Sequence, residues 1–259
     1  MSVYPFLGKD FFDALQGCGA AAPKTGWQPC HLETEQGWMP LYLRSHSRGE
    51  YVFDYSWAEA YHRHGLAYYP KLVTSIPFTP VTGPRWRGDL SAASLWSGVK
   101  DRMAEHQASG WHLLFPDAAA REQLQELPLV SRQACHFRWL NRDYRDFEDF
   151  LGQFQSRKRK NLRKERRRVQ EQGLTITRHH GDRISASDWA FFYQCYASTY
   201  LKRGQLPYLD EAFFAAIREA MADQLMLVLA RRGEQPLAAA LYFQDGDCLY
   251  GRYWGCLEE

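Results

Sequence analysis

Between residues 147 and 169 the apolar side chains Phe147, Phe150, Leu151, Phe154, Leu162 and Val169 recur at spacings of three, four, seven and eight. That period predicts one amphipathic helix over residues 146–172, with every position off the apolar stripe turned to solvent. Gly173 is its predicted stop, because glycine enters the left-handed C-cap conformation without strain. A shorter helical pattern, Phe11, Phe12 and Leu15, predicts a helix over residues 9–16. Alternation instead of helical spacing predicts strands over residues 27–34 and 38–45, joined by a turn at Glu35-Gln36-Gly37. Residues 51–55 read as a third extended piece, followed by a short helix over 57–64.

Proline punctuates the next segment at Pro70, Pro77, Pro80 and Pro84. Each proline lacks a ladder donor, so this stretch is not expected to form a regular central strand. It leads into Thr82-Gly83-Pro84-Arg85 and a helix over 90–109 with Asp89 as its expected N-cap. A strand over 111–116, a helix over 118–127 and a strand over 129–140 follow. Beyond Gly173 the pattern gives a strand over 174–178, an aromatic-rich helix capped by Ser187, and a helix opened by Asp210. Three strands over 225–230, 236–244 and 248–254, joined by tight turns, read as an antiparallel meander. The order of elements is that of a mixed α/β protein, with an expected division into residues 1–135 and 136–259.

Charge changes the picture at one place. Nine of the twelve residues from Arg157 to Arg168 are Lys or Arg, and Glu165 is the one acid among them. Residues 136–183 hold 14 Lys/Arg against 7 Asp/Glu, while the whole chain has a net charge of only +2. Like charges at helical spacing repel one another, so a helix needing only solubility would mix the signs. Arg157, Lys158, Arg159, Lys160, Arg163 and Lys164 are therefore candidates for contact with a phosphate-bearing partner; a solvated face is the competing reading. The six cysteines form no C-x-x-C pair, which fits reduced thiols. Neither a signal peptide nor an apolar run of membrane-spanning length is visible, so a cytoplasmic protein is expected. The histidines have no acidic or cysteine partner at ligand spacing, so no metal site is expected.

Four motifs carry a resemblance. Tyr69-Pro70-Lys71-Leu72, Phe78-Thr79-Pro80-Val81-Thr82-Gly83-Pro84-Arg85, Ser156-Arg157-Lys158-Arg159-Lys160-Asn161 and Leu249-Tyr250-Gly251-Arg252-Tyr253-Trp254-Gly255 together resemble the bacterial peptidoglycan biosynthesis/recognition family. That family is similar to the Fem-type aminoacyltransferases, built from two tandem domains like those of the GNAT N-acyltransferases. The resemblance spans essentially the whole chain. It implies acyl or aminoacyl transfer to an amine, with acyl-CoA or aminoacyl-tRNA as donor and a UDP-linked or lipid-linked cell-wall precursor as acceptor. Family members run on past this point, so the chain resembles a C-terminally truncated member, and an incomplete second domain and coenzyme A site are expected.

Candidate site residues follow from both readings. Strand, glycine-containing turn and helix offer backbone N–H groups to an anion, which makes Thr82, Gly83 and Arg85 candidates; a plain chain reversal is the competing reading. Lys71 is a candidate for a substrate groove walled by Trp57, Tyr68 and Tyr69, against core packing of the tyrosines. Arg252 and Tyr253 alternate along the last strand, so one of them is expected to face a cleft. Asp54 and Glu59 are the candidates for a general base. Two other functions stay open: a non-catalytic module that binds anionic cell-wall precursors or peripherally contacts membrane lipid, and an RNA-binding protein.

Overall fold

The computed structural model describes residues 4–258. The N-terminal part builds helix α1 (Lys9–Gly17), strands β1 (Trp27–Pro29), β2 (Leu32–Thr34), β3 (Gly37–Met39) and β4 (Tyr42–Arg44), then helix α2 (Tyr55–Arg63). Strand β5 (Lys71–Thr74), strand β6 (Arg87–Gly88), helix α3 (Ala92–Glu105), strand β7 (Trp111–Leu113) and helix α4 (Ala118–Gln123) complete it. The two long strands expected here are each broken in two. Pro29 and Pro40 interrupt the ladders, so β1 and β4 pair in one sheet while β2 and β3 pair in another.

The first sheet has the order β1-β4-β5-β7, antiparallel except for the parallel β5–β7 pair; the small second sheet is β2-β3-β6. Strand β5 is thus central, contrary to the expectation from its prolines. Its four residues are free of proline and all are buried; Pro70 and Pro77 stand outside it. Ser91, and not Asp89, caps α3 by accepting the Ser94 N–H at 3.1 Å. Residues 129–140 form no strand, because nothing pairs with them and their side chains are mostly exposed.

The C-terminal part opens with two helices where one was expected. Helix α5 (Phe147–Gly152) ends before residues 153–155, and α6 (Ser156–Glu171) starts afresh. Only Leu151 of the expected stripe is fully buried; Val169 remains 40% exposed and α6 buries no residue. Strand β8 (Leu174–His180), helix α7 (Ala186–Leu201, capped by Ser185 and not Ser187), helix α8 (Glu211–Ala220, capped by Asp210) and strands β9 (Leu225–Arg232), β10 (Gln235–Asp245) and β11 (Cys248–Cys256) follow. Their sheet is antiparallel throughout, with the order β11-β10-β9-β8. The meander is as the alternation predicts.

The larger core joins both ends of the chain. Phe6 packs 4.9 Å from the ring of Phe243 in β10, and Phe11 of α1 packs 5.6 Å from Phe213 of α8. The same cluster includes Trp27, Tyr42, Ile76 and Phe78 from the first sheet and its loops. A smaller core beneath α3 gathers Met39, Leu41, Leu72, Leu95 and Val99. Their burial supplies most of the driving force for folding, at roughly 1.5–3 kcal/mol per large apolar side chain.

Candidate functional site

Arg44 closes β4 and Lys71 opens β5, and the antiparallel register sets the two residues directly opposite each other. Two buried cations in that relation would repel. The loop of residues 45–54 folds back and supplies the counter-charges. Glu50 bridges the pair, its Oε1 accepting from Arg44 Nε at 3.1 Å and its Oε2 from Lys71 Nζ at 2.8 Å. Asp54 Oδ2 lies 2.5 Å from the same ammonium and accepts the Tyr68 hydroxyl at 2.6 Å. Lys71 also donates to Ser47 Oγ at 2.8 Å, and Ser47 meets the Tyr69 hydroxyl at 2.8 Å. The Arg44 guanidinium sits 3.5 Å above the Trp27 ring and donates to the carbonyls of Gly26 and Arg48. Two positive and two negative groups, all with side chains at most 3% exposed, close to zero net charge.

Burial alone would raise the Asp54 carboxyl, but hydrogen bonds from Lys71, Ser47 and Tyr68 outweigh it and hold the group at about 2. A carboxylate so held is the counter-ion of Lys71 and a poor proton acceptor. Glu59, the other expected base, stands exposed on α2, which buries no residue. Trp57 of the same helix is 51% exposed. Burial, reinforced by the Lys71 charge, lowers His112 to about 4. Tyr51 and Phe53 take left-handed backbone angles, φ 60° and 50°. Non-glycine residues pay about 1–3 kcal/mol for such angles; beside them Asp54 is buried, the Phe53 ring is exposed and the Tyr51 hydroxyl turns toward Tyr200.

The turn at Thr82, Gly83 and Arg85 does not present an anion cradle. The Gly83 N–H is taken by the Phe115 carbonyl at 3.2 Å, and a Cβ at this glycine would fall 2.4 Å from the Tyr4 ring. Arg85 is buried and donates to the carbonyls of Leu114 (2.6 Å), Pro84 (2.7 Å), Phe115 (2.6 Å) and Val81. It staples this turn to the end of β7. Thr82 is half-buried beside it. The turn also does not run into the helix, since β6 and Ser91 intervene.

Arg252 and Tyr253 lie where the two larger sheets meet. Arg252 Nη2 donates to the Phe78 carbonyl at 2.7 Å, and Phe78 stacks on Tyr208 at 4.9 Å. Tyr200 lies 5.6 Å from Tyr208, and its hydroxyl is 3.4 Å from that of Tyr51 on the loop covering Lys71. Gly49 makes this closure possible: any Cβ there would come within 2.6 Å of the Phe78 ring. At the seam the Arg252 Nε and the Tyr253 hydroxyl are buried and make no hydrogen bond of good geometry among the described residues, although the Arg252 and Thr79 side chains stand close beside that hydroxyl. Unsatisfied donors of this kind are costly, and a native fold keeps few of them.

The structure therefore brings Asp54, Lys71, Tyr68 and Tyr69 into one buried network and sets Arg252 and Tyr253 in the adjoining seam. It leaves Trp57 and Glu59 on an exposed helix. Sequence reasoning missed Arg44, Ser47 and Glu50 of the network and Tyr51, Tyr200 and Tyr208 of the seam. Phe78 alone among the seam's neighbours stood in a quoted motif. The basic residues Arg157, Lys158, Lys160 and Lys164 are exposed on α6, with Arg159 half-buried. Arg163 pairs with Glu148 of α5, its Nε donating at 3.0 Å. A separate concavity of about 410 Å³ is lined by Cys30, His31, Arg102 and Glu105 among others. Burial pushes its thiol up to about 11, so no ready thiolate stands there. Among the described residues no group of three or more His, Cys, Asp or Glu is placed to share a metal ion.

These features define a mixed α/β protein whose polar groups gather between two mainly antiparallel sheets. The model of the FemAB-like family, described as peptidoglycan biosynthesis/recognition, matches residues 1–259, and the chain belongs to that family. No curated protein matches it as a relative. Membership assigns the chain a role in peptidoglycan biosynthesis or recognition and makes cell-wall precursors its partner class. Among the described residues no helix is long and apolar enough to cross a membrane.

Proposed function

We propose that this protein is a Fem-type transferase that passes an acyl or aminoacyl group to an amine of a peptidoglycan precursor. Family membership supplies the pathway and the precursor class. The observation that supports the reaction is the pair of buried donors at the seam that lack a well-aligned acceptor, Arg252 Nε and the Tyr253 hydroxyl. Acyl transfer to an amine builds negative charge on the carbonyl oxygen as the nitrogen attacks, and fixed donors in a dry site stabilise that charge. The new C–N bond replaces the C–S bond of a thioester or the C–O bond of an aminoacyl ester. The leaving sulfur or oxygen takes the proton that the amine sheds. Acyl-CoA and aminoacyl-tRNA are the two donor classes. In this reading Lys71 and its carboxylates hold the loop of residues 45–54 rigid against the seam, and Tyr51 and Tyr200 wall the acceptor.

The test is transfer from a labelled thioester or a charged tRNA to a panel of amines that includes a UDP-linked muropeptide. Arg252→Ala is expected to lower turnover about 100-fold, the usual loss for one oxyanion donor, with Arg252→Lys recovering part of it. Unchanged turnover in Arg252→Ala, or no transfer from either donor class, would sink this assignment. One observation favours a second reading: neither Asp54, held at about 2, nor exposed Glu59 is placed to accept a proton. A recognition module without turnover would bind the muropeptide through the seam, and Arg252→Ala would then weaken binding while no donor supports transfer.

A further inference from the structure

Helix α6 touches the segment before it, and the proposed transfer uses neither. The helix carries its nine Lys and Arg residues with no buried side chain of its own. Beside it lies a hollow of about 420 Å³ lined by Trp139, Asn141, Tyr144, Asp146, Phe147 and Phe150. The hollow touches the helix directly: the Arg166 guanidinium lies 4.2 Å from the Phe147 ring, and Arg163 is paired with Glu148. Three of the neighbouring acids, Asp146, Glu148 and Asp149, are engaged, and Asp143 is exposed. Asp149 pairs with Arg145 at 3.2 Å, and Asp146 caps α5 by accepting the Asp149 N–H at 2.8 Å. In the same segment as hollow-lining Trp139, which is 61% exposed, Phe137 is 90% and Leu140 62% exposed.

Exposed apolar side chains in one segment beside a dense cationic helix are the two signals that together hold a protein on a bilayer; either alone binds weakly. Apolar groups enter the headgroup boundary, and Lys and Arg meet lipid phosphates within a Debye length. A nucleic acid would satisfy the cations but not the rest of the face. Leu140 has no ring for a base to stack on. The rings of the hollow meet one another at angles from 43° to 72°, so no neighbouring pair of them offers a parallel stacking platform.

We infer that this face seats the protein on an anionic phospholipid surface, with Phe137, Trp139 and Leu140 at the headgroup boundary and the cations of α6 on the lipid phosphates. The inference does not depend on the transferase reading. Its test is co-sedimentation of the full chain with vesicles of phosphatidylcholine, with and without phosphatidylglycerol, beside a titration with bulk tRNA. Binding is expected only to the anionic vesicles and to fall as salt rises. Replacing Lys158, Lys160, Lys164 and Arg167 with Gln is expected to weaken it about 100-fold or more, since each such charge near a bilayer contributes about a factor of five. Phe137→Ala with Trp139→Ala is expected to weaken it about tenfold and to remove tryptophan quenching by brominated lipid. Circular dichroism of both variants checks that the fold is kept. Equal binding to neutral vesicles overturns the inference. So does tRNA binding that needs the four charges, ignores the aromatic pair and leaves the vesicles unbound.

Discussion

Lys71 shows how much one buried charge demands of its neighbours. Its ammonium is held by Ser47, Glu50 and Asp54. Lys71→Met leaves Asp54 buried without its cation and Glu50 with Arg44 alone, and is expected to cost about 3–5 kcal/mol, the usual result of breaking a buried pair from one side; urea unfolding measures it. His112 supplies a pH signature. Its pKa falls from 6.5 to about 4 on folding, so the unfolded chain binds the proton more readily. Stability from the neutral ring is complete above about pH 6.5 and drains away as pH falls toward 4. His112→Gln should flatten the urea midpoint across that window. Asp54, whose folded value is about 2, withdraws its support only at lower pH, from below about 3.8. Lys71 and Asp54 were both legible as candidates, but their link was not: residues seventeen positions apart carry no spacing signal. Arg85 illustrates a related difficulty, since an arginine facing carbonyls and one facing phosphate look alike in sequence.

At the scale of elements, local chemistry was legible wherever it acted alone. The α1 pattern, the Asp210 cap and the β9–β10–β11 meander follow from helical spacing, capping and tight turns. Elements decided by tertiary pairing were not. Strand β5 becomes central because β4 and β7 flank it, and four proline-free residues suffice for that. Leu72 sits in its middle, fully buried in the smaller core. Leu72→Ala is expected to cost about 2–5 kcal/mol, depending on how far the cavity collapses, and a shift in thermal midpoint would register it. Residues 129–140 fail as a strand for the converse reason: alternation without a neighbouring edge leaves backbone groups to water.

For the molecule as a whole, the first aromatic residues belong to the last sheet. Phe6 meets Phe243 and Tyr250, and Phe11 meets Phe213 and Phe243. Phe6→Ala is therefore expected to lower stability by about 3–5 kcal/mol and to shift near- and far-ultraviolet dichroism transitions together, because one core serves both sheets. Separate transitions would show that the sheets melt independently. No composition or period announced this long-range closure; both segments read as ordinary amphipathic pieces.

That closure also sets a timetable. On a ribosome Phe6 and Phe11 emerge well before Phe213, Phe243 and Tyr250, which cover them. At 5–20 residues per second the wait is on the order of ten seconds or more. Throughout it, these rings stay uncovered, and exposed apolar surface of that kind is where a nascent chain is most open to wrong contacts.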